Sequence, residues 1–309
     1  MKASEIRSGS FMVDNPQQER TVPDSMNSPE KADNERGATL GARATATAYA
    51  RGAVGGLIVA MPLLMTMEMW WGGFQIPAHR LIVLILVNFG VLFILQHYSG
   101  LHHRKSTAGE LRAAAAAYGI GLLVSLLTLF ALNIVQVGSD ARDVIGKLLL
   151  ESVPVSIGAS VSISQFGASN KVAARRKDVE GFGGAMAMAL AGAMFFGFSV
   201  APTEEAIILG LRTTPVHVIV LLLASIVLVH LVVYAVEFRS ERVSDRRGRW
   251  RLLLEEGVST YAVAIAVSAF LLWTFGRVGS DVGWIATRDM IVSLGLVTSL
   301  GAAAGELLI

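Results

Sequence analysis

The sequence predicts an all-α polytopic membrane bundle of about eight transmembrane helices, built as a duplicated parallel four-helix repeat. Three observations carry that prediction. Hydrophobic residues make up 53% of the 309 and charged residues only 16%, too little polar surface for a water-soluble chain of this length. The charges collect in the first fifty residues and in short clusters between uncharged apolar runs of about 20 residues, the length of one bilayer crossing. Short motifs of the first half recur in the same order in the second.

Residues 1–45 are rich in Asp, Glu, Ser, Pro, Asn and Lys, and bury too little apolar area to offset the entropy of ordering; they read as a disordered cytoplasmic tail. No cleavable signal opens the chain, because the first apolar run starts near Gly52 and continues for a full span. Uncharged runs place spans at about 52–71, 81–98, 113–137, 144–164, 182–201, 216–236, 257–276 and 285–308. Lys147, Glu151 and Pro154 interrupt the fourth, so a broken or re-entrant helix is an alternative there. The organisation that follows is a tail over 1–45, a first four-helix repeat over 46–165, a basic cytoplasmic linker over 166–180 and a second repeat over 181–309.

Orientation follows from the basic residues. With the tail inside, the cytoplasmic segments collect 20 of the 26 Lys and Arg: seven in 1–51, three near 104–112, four in 171–177 and six in 239–251. The outer segments keep Arg80, Arg142, Lys147, Arg212, Arg277 and Arg288. Both termini are therefore expected inside. The same alternation argues against nucleic acid as a partner despite a net charge of +2, since no single basic patch forms.

Five pairs of matches support the duplication. Glu68 with Gly73 parallels Glu205 with Gly210, and Pro77-Ala78-His79 parallels Pro215-Val216-His217. Tyr118 parallels Tyr261, Val137-Gly138-Ser139-Asp140 parallels Val278-Gly279-Ser280-Asp281, and Arg142-Asp143 parallels Arg288-Asp289. An even number of spans per unit gives parallel repeats about an axis along the membrane normal.

Ionisable groups within or beside spans are costly and mark pathways or sites. Glu68 and the Glu204-Glu205 pair fall at the outer ends of the first and fifth spans, where pseudo-symmetry would gather three carboxylates able to attract protons or oxygen-preferring ions such as Ca²⁺. The plainer reading has them solvated, capping helices or paired with Arg80 and Arg212. His79 and His217 share that level and would complete a mixed His/Glu shell for Zn²⁺ or Mn²⁺; an interfacial role beside the preceding prolines is the alternative. In the fourth span Ser152, Ser156, Ser160 and Ser164 step every fourth residue beside Glu151, either lining a wet path or bonding backbone and neighbouring helices. Glu306 lies near the inner end of the eighth span, so a cation route would run from the outer carboxylates past Glu151 to Glu306. Small residues at every fourth position, Gly52, Gly56 and Ala60 and then Ala185 through Ala201, read as helix-packing ridges.

With no cysteine there is no disulfide, thiolate metal site or Cys nucleophile. No phosphate-cradling loop, nucleotide fingerprint, intramembrane metalloprotease spacing or pair of facing mid-membrane histidines occurs, so an enzyme is not expected and no cofactor is called for. The Ala201-Pro202-Thr203-Glu204-Glu205 segment after a small-residue helix resembles a family of bacterial integral membrane proteins of unknown function. That resemblance covers about 45–309, leaves the tail outside and implies a bacterial inner membrane. The reading is a channel or secondary transporter for a small cation, H⁺, Ca²⁺ or another metal ion, with the bilayer as partner and a homo-oligomer compatible with it. The alternative is a non-transporting sensor, lipid-binding or assembly protein.

Overall fold

The structure is a computed structural model describing residues 28–99, 106–166, 182–237 and 246–307, and these residues form helices joined by short turns. The chain divides into two compact units, 1–45 and 46–309. The helices are α1 (Ser28–Leu64), α2 (Met67–Gln75), α3 (Ala78–Ser99), α4 (Thr107–Ala131), α5 (Ala141–Phe166), α6 (Phe182–Val200), α7 (Glu204–Arg212), α8 (Pro215–Glu237), α9 (Arg246–Thr274) and α10 (Trp284–Glu306). Among the described residues eight helices are long and apolar enough to cross a membrane: the stretch of α1 from Thr45, and α3, α4, α5, α6, α8, α9 and α10. The predicted tail is helical from Ser28 onward, and all but the first residue of the basic linker expected over 166–180 lies outside the described residues.

The first span ends earlier than the uncharged run suggests. Backbone N–H and hydroxyl of Thr66 both donate to the Leu63 carbonyl, at 3.0 and 2.8 Å, and the Trp70 indole donates to Leu64 O at 2.9 Å. These bonds close the C-terminus of α1 and start the nine-residue α2, which Pro77 then stops by holding Ile76 extended. The second half repeats the device. Thr203 N–H and hydroxyl donate to Val200 O at 3.0 and 2.9 Å, α7 begins at Glu204, and Pro215 follows. Glu68 and Glu205 thus sit on separate short helices, not on the ends of the first and fifth spans as the apolar runs implied.

Among the described helices the order long, short, long, long, long occurs twice. In the first half α2, α3 and α4 pack on α5; in the second α6, α7, α8 and α9 pack on α10. A Cβ on Gly56 would meet the Val155 carbonyl and Ala159, whereas one on Gly192 would run into the Gly301 carbonyl and reach Gly305. These contacts join α1 to α5 and α6 to α10 by close backbone approach. Gly73 of α2 lies against Lys147 of α5, and Gly210 of α7 against Met290 of α10.

Helix α5 is continuous, with Pro154 inside it, and no break or re-entrant turn occurs there. Of its spanning window 72% is buried, against 17% for α8, so enclosure by neighbours sustains a helix that carries polar groups. Lys147 is accommodated by donating to Asp143 one turn earlier at 2.7 Å and by lying 6.0 Å from the centre of the Phe74 ring. One large core draws on both halves and includes Leu84, Leu92, Leu150, Met194, Phe198, Leu271 and Met290.

Candidate functional site

The polar groups fall at two levels, outside the spans and within them. At the outer level Glu68 and Glu205 each occupy the second position of a short helix, where a carboxylate faces the free N–H groups and the positive end of the helix dipole. Glu204 and Glu205 are exposed and Glu68 is half-buried. A bond from its own backbone N–H holds the Glu205 carboxyl below the usual Glu range. Thr203 is a second contributor, but its hydroxyl donates its single proton to Val200 O, with the two oxygens 2.9 Å apart, so the backbone bond is the larger cause.

Glu68 borders a polar pocket of about 70 Å³ where α2 meets the Pro202 turn and the loop after α9. The guanidinium of Arg277 crosses this pocket to donate to the Pro202 carbonyl. Arg80, expected as a partner of the glutamates, instead donates to Trp273 O at 2.6 Å and lies 5.2 Å from the indole centre. His79 is exposed, and His217 is exposed with Nδ1 2.7 Å from the Thr214 hydroxyl. Among the described residues no three His, Cys, Asp or Glu side chains converge to hold a metal ion. The outer shell of Glu68, Glu204, Glu205, His79 and His217 expected from pseudo-symmetry is therefore not assembled. Glu68, Glu204 and Glu205 sit instead in the first turns of the two short helices, while His79 and His217 are exposed in the first turns of α3 and α8.

Within the spans three carboxyls are enclosed among the described residues: Glu151, Glu306 and Asp289, the last paired with its neighbour Arg288 at 2.7 Å. Glu151 of α5 is 0% exposed, and neither of its oxygens has a hydrogen-bond partner. It stands one turn from Val155, which packs with Ala60, Leu64 and Val124. Lys147 is the cation one turn away, and it is engaged by Asp143. Glu306 near the end of α10 is 4% exposed and accepts a 2.5 Å bond from the Thr260 hydroxyl of α9. The structure thus separates the two buried acids expected on the route, one bonded and one bare.

The serine ridge of α5 is committed to helix contacts. Ser152 and Ser156 donate to Leu149 O and Val153 O at 2.7 and 2.8 Å, and Ser156 and Ser160 accept the Asn88 and Gln96 amides of α3 at 3.0 and 2.9 Å. The side chain of Ser164 lies outside the described residues. In the second half Ser268 and Thr298 bond at 2.7 Å, and Thr298 also donates toward Ala264 O at 3.0 Å. Sequence reasoning missed Asn88, Gln96 and Thr260 as partners. The amides were visible as polar residues interrupting the apolar run of α3, but their partners lie 64 to 68 residues away. His230 donates to Ile226 O at 2.8 Å and packs against Gly257, so it serves its own helix.

No curated protein and no solved structure matches the chain. A family model described as "Putative integral membrane protein (DUF2391)" matches residues 48–309. With its eight long apolar helices, the chain belongs to this family of multi-pass integral membrane proteins of unknown function.

Proposed function

We propose that the chain passes a small cation, a proton or a metal ion, across the membrane as a channel or secondary transporter, with Glu151 as its intramembrane binding group. The observation that carries the reading is the Glu151 carboxyl, wholly buried in a spanning helix with both oxygens unbonded. An ionised carboxylate in that place has no hydrogen-bond donor among the described residues, with Lys147 engaged by Asp143, and is expensive. A proton or a bound small cation cancels the charge, and a group that requires a mobile cation in order to rest is suited to carrying one. Glu306 with Thr260 supplies a second carboxyl toward the inner end, and Glu68 beside its polar pocket supplies an outer entry group.

A bacterial inner membrane with both termini cytoplasmic belongs to the same proposal, supported by the basic residues of the inner loops. So does descent from a duplicated four-helix unit, supported by the paired short helices and the matching glycine contacts in the two halves. No catalytic group is part of the reading. The test is flux of H⁺, Na⁺, K⁺, Ca²⁺ and Mn²⁺ into proteoliposomes containing the purified chain. The parent carries one of these, Glu151→Gln abolishes it and Glu306→Gln slows it, while the exposed pair Glu204→Gln/Glu205→Gln retains flux. Absence of flux under every gradient and voltage, or full flux in Glu151→Gln, overturns the proposal.

A further inference from the structure

A cavity of about 290 Å³ opens between the two halves, walled by Val59 of α1, Gly158 and Val161 of α5, Phe195 and Phe196 of α6, and Ala304 of α10, together with neighbours on the same helices. Every side chain lining it is apolar. A polar solute or a string of water entering it would give up hydrogen bonds for none, and a cavity of this kind stays dry. It is therefore no part of a cation path.

Its surroundings identify what does enter. Val59 on its wall is 39% exposed, and Ile58 and Leu300, next along their helices to Val59 and Gly301, are 69% and 44% exposed. These residues belong to spanning segments of an integral membrane protein, so the medium at the mouth is hydrocarbon. The volume sets the size of the occupant. An engineered apolar cavity of about 150 Å³ accepts benzene, so by proportion this one accepts roughly a dozen chain carbons. A helix about 10 Å across needs more than ~1,000 Å³ for three turns, which excludes a helix of a second copy as the occupant.

We infer that this cavity is a binding site for one acyl chain of a bilayer lipid, which inserts between α5 and α6 and touches both halves of the chain. Filling it restores the dispersion contacts that the facing walls otherwise lack. The small residues Gly158 and Ala304 set its width, because a Cβ on Gly158 would already lie 3.2 Å from Val59.

The experiment reconstitutes the full chain with a phosphatidylcholine carrying a diazirine within one acyl chain, followed by irradiation and mapping of adducts by mass spectrometry. Adducts concentrate several-fold on Phe195, Phe196 and Val161 over Ile219 and Leu223, which are exposed on α8 and report ordinary lipid contact. Ala304→Phe, or Val161→Trp from the opposite wall, lowers the cavity adducts several-fold and leaves those on α8 unchanged, which also shows that the variant is folded in the bilayer. Equal labelling of cavity and α8, or cavity labelling that neither plug reduces, overturns the inference. With p-benzoylphenylalanine in place of Phe195, a photo-cross-link to a second copy of the chain overturns it in favour of a protein contact. Flux plays no part in the readout, so this inference and the cation proposal fail independently.

Discussion

Replacing Glu151 by methionine should make the protein more stable while removing its proposed activity. Methionine has nearly the same reach and no polar atom, and it adapts to irregular apolar surroundings. Leaving a buried polar group unsatisfied costs about 1–3 kcal/mol, and more when the group is charged. Both Glu151 oxygens are unsatisfied, Lys147 is committed to Asp143, and the nearby packing of Val155 with Ala60, Leu64 and Val124 is apolar. Exchange of such a group for an apolar one of similar volume is neutral or favourable, so Glu151→Met should raise the unfolding free energy by about 1–3 kcal/mol. Glu306→Met makes the contrast, because it removes a carboxyl that is bonded to Thr260 and leaves that hydroxyl without its acceptor. It should lower stability by about 1 kcal/mol. Both variants are followed by denaturant titration in mixed micelles, reading the fluorescence of the five tryptophans. A loss of stability in Glu151→Met comparable to that in Glu306→Met would refute the reasoning, since it would mean that the carboxyl is held by favourable bonds. A gain in stability with lost flux is the signature of a group retained for function at a cost in stability.

Three further outcomes are expected. A Cβ on Gly192 would collide with the Gly301 carbonyl, so Gly192→Ala should cost about 1–3 kcal/mol in the same titration. A Cβ on Gly90 of α3 meets nothing within 4 Å, so Gly90→Ala should gain about 0.5–1 kcal/mol; equal effects at the two sites would contradict the close approach of α6 and α10. The chain has no cysteine, so Val137→Cys and Ser106→Cys can be labelled without background. An impermeant maleimide added to intact cells should label the first, at a position 94% exposed, and spare the second, and the reverse pattern would invert the proposed orientation. The Glu205 carboxyl is lowered in the folded state, so its support of the first turn of α7 is complete above the ordinary Glu range and fades as pH falls through the lowered value. A ¹³C NMR titration should place its midpoint below that of an unstructured Glu, and an ordinary midpoint would remove the backbone bond from the account.

The glutamates show how far the residues alone could lead. Their presence in the chain was legible, because it is a property of residue order. Their expected convergence was not, because it depended on whether the first span ran on to residue 71 or turned at Thr66, and on a separate short helix starting after Thr203. Those turns rest on hydroxyl and indole bonds to carbonyls three to six residues back, which hydropathy does not register. Similarly, the serine spacing in α5 was plain, but its use was decided by Asn88 and Gln96 on a helix more than sixty residues away.

By itself the sequence determined the membrane class, the number and approximate limits of the apolar helices, and which positions carry charge inside them. These follow from composition and run length, since a bilayer of fixed thickness imposes a one-dimensional rule on the chain that crosses it. Only the tertiary structure decided that α5 is unbroken, that Glu306 has a partner and Glu151 has none, that the outer acids stay apart, and that an apolar cavity opens between the halves. Each depends on which helix lies beside which, through contacts between residues far apart in the chain.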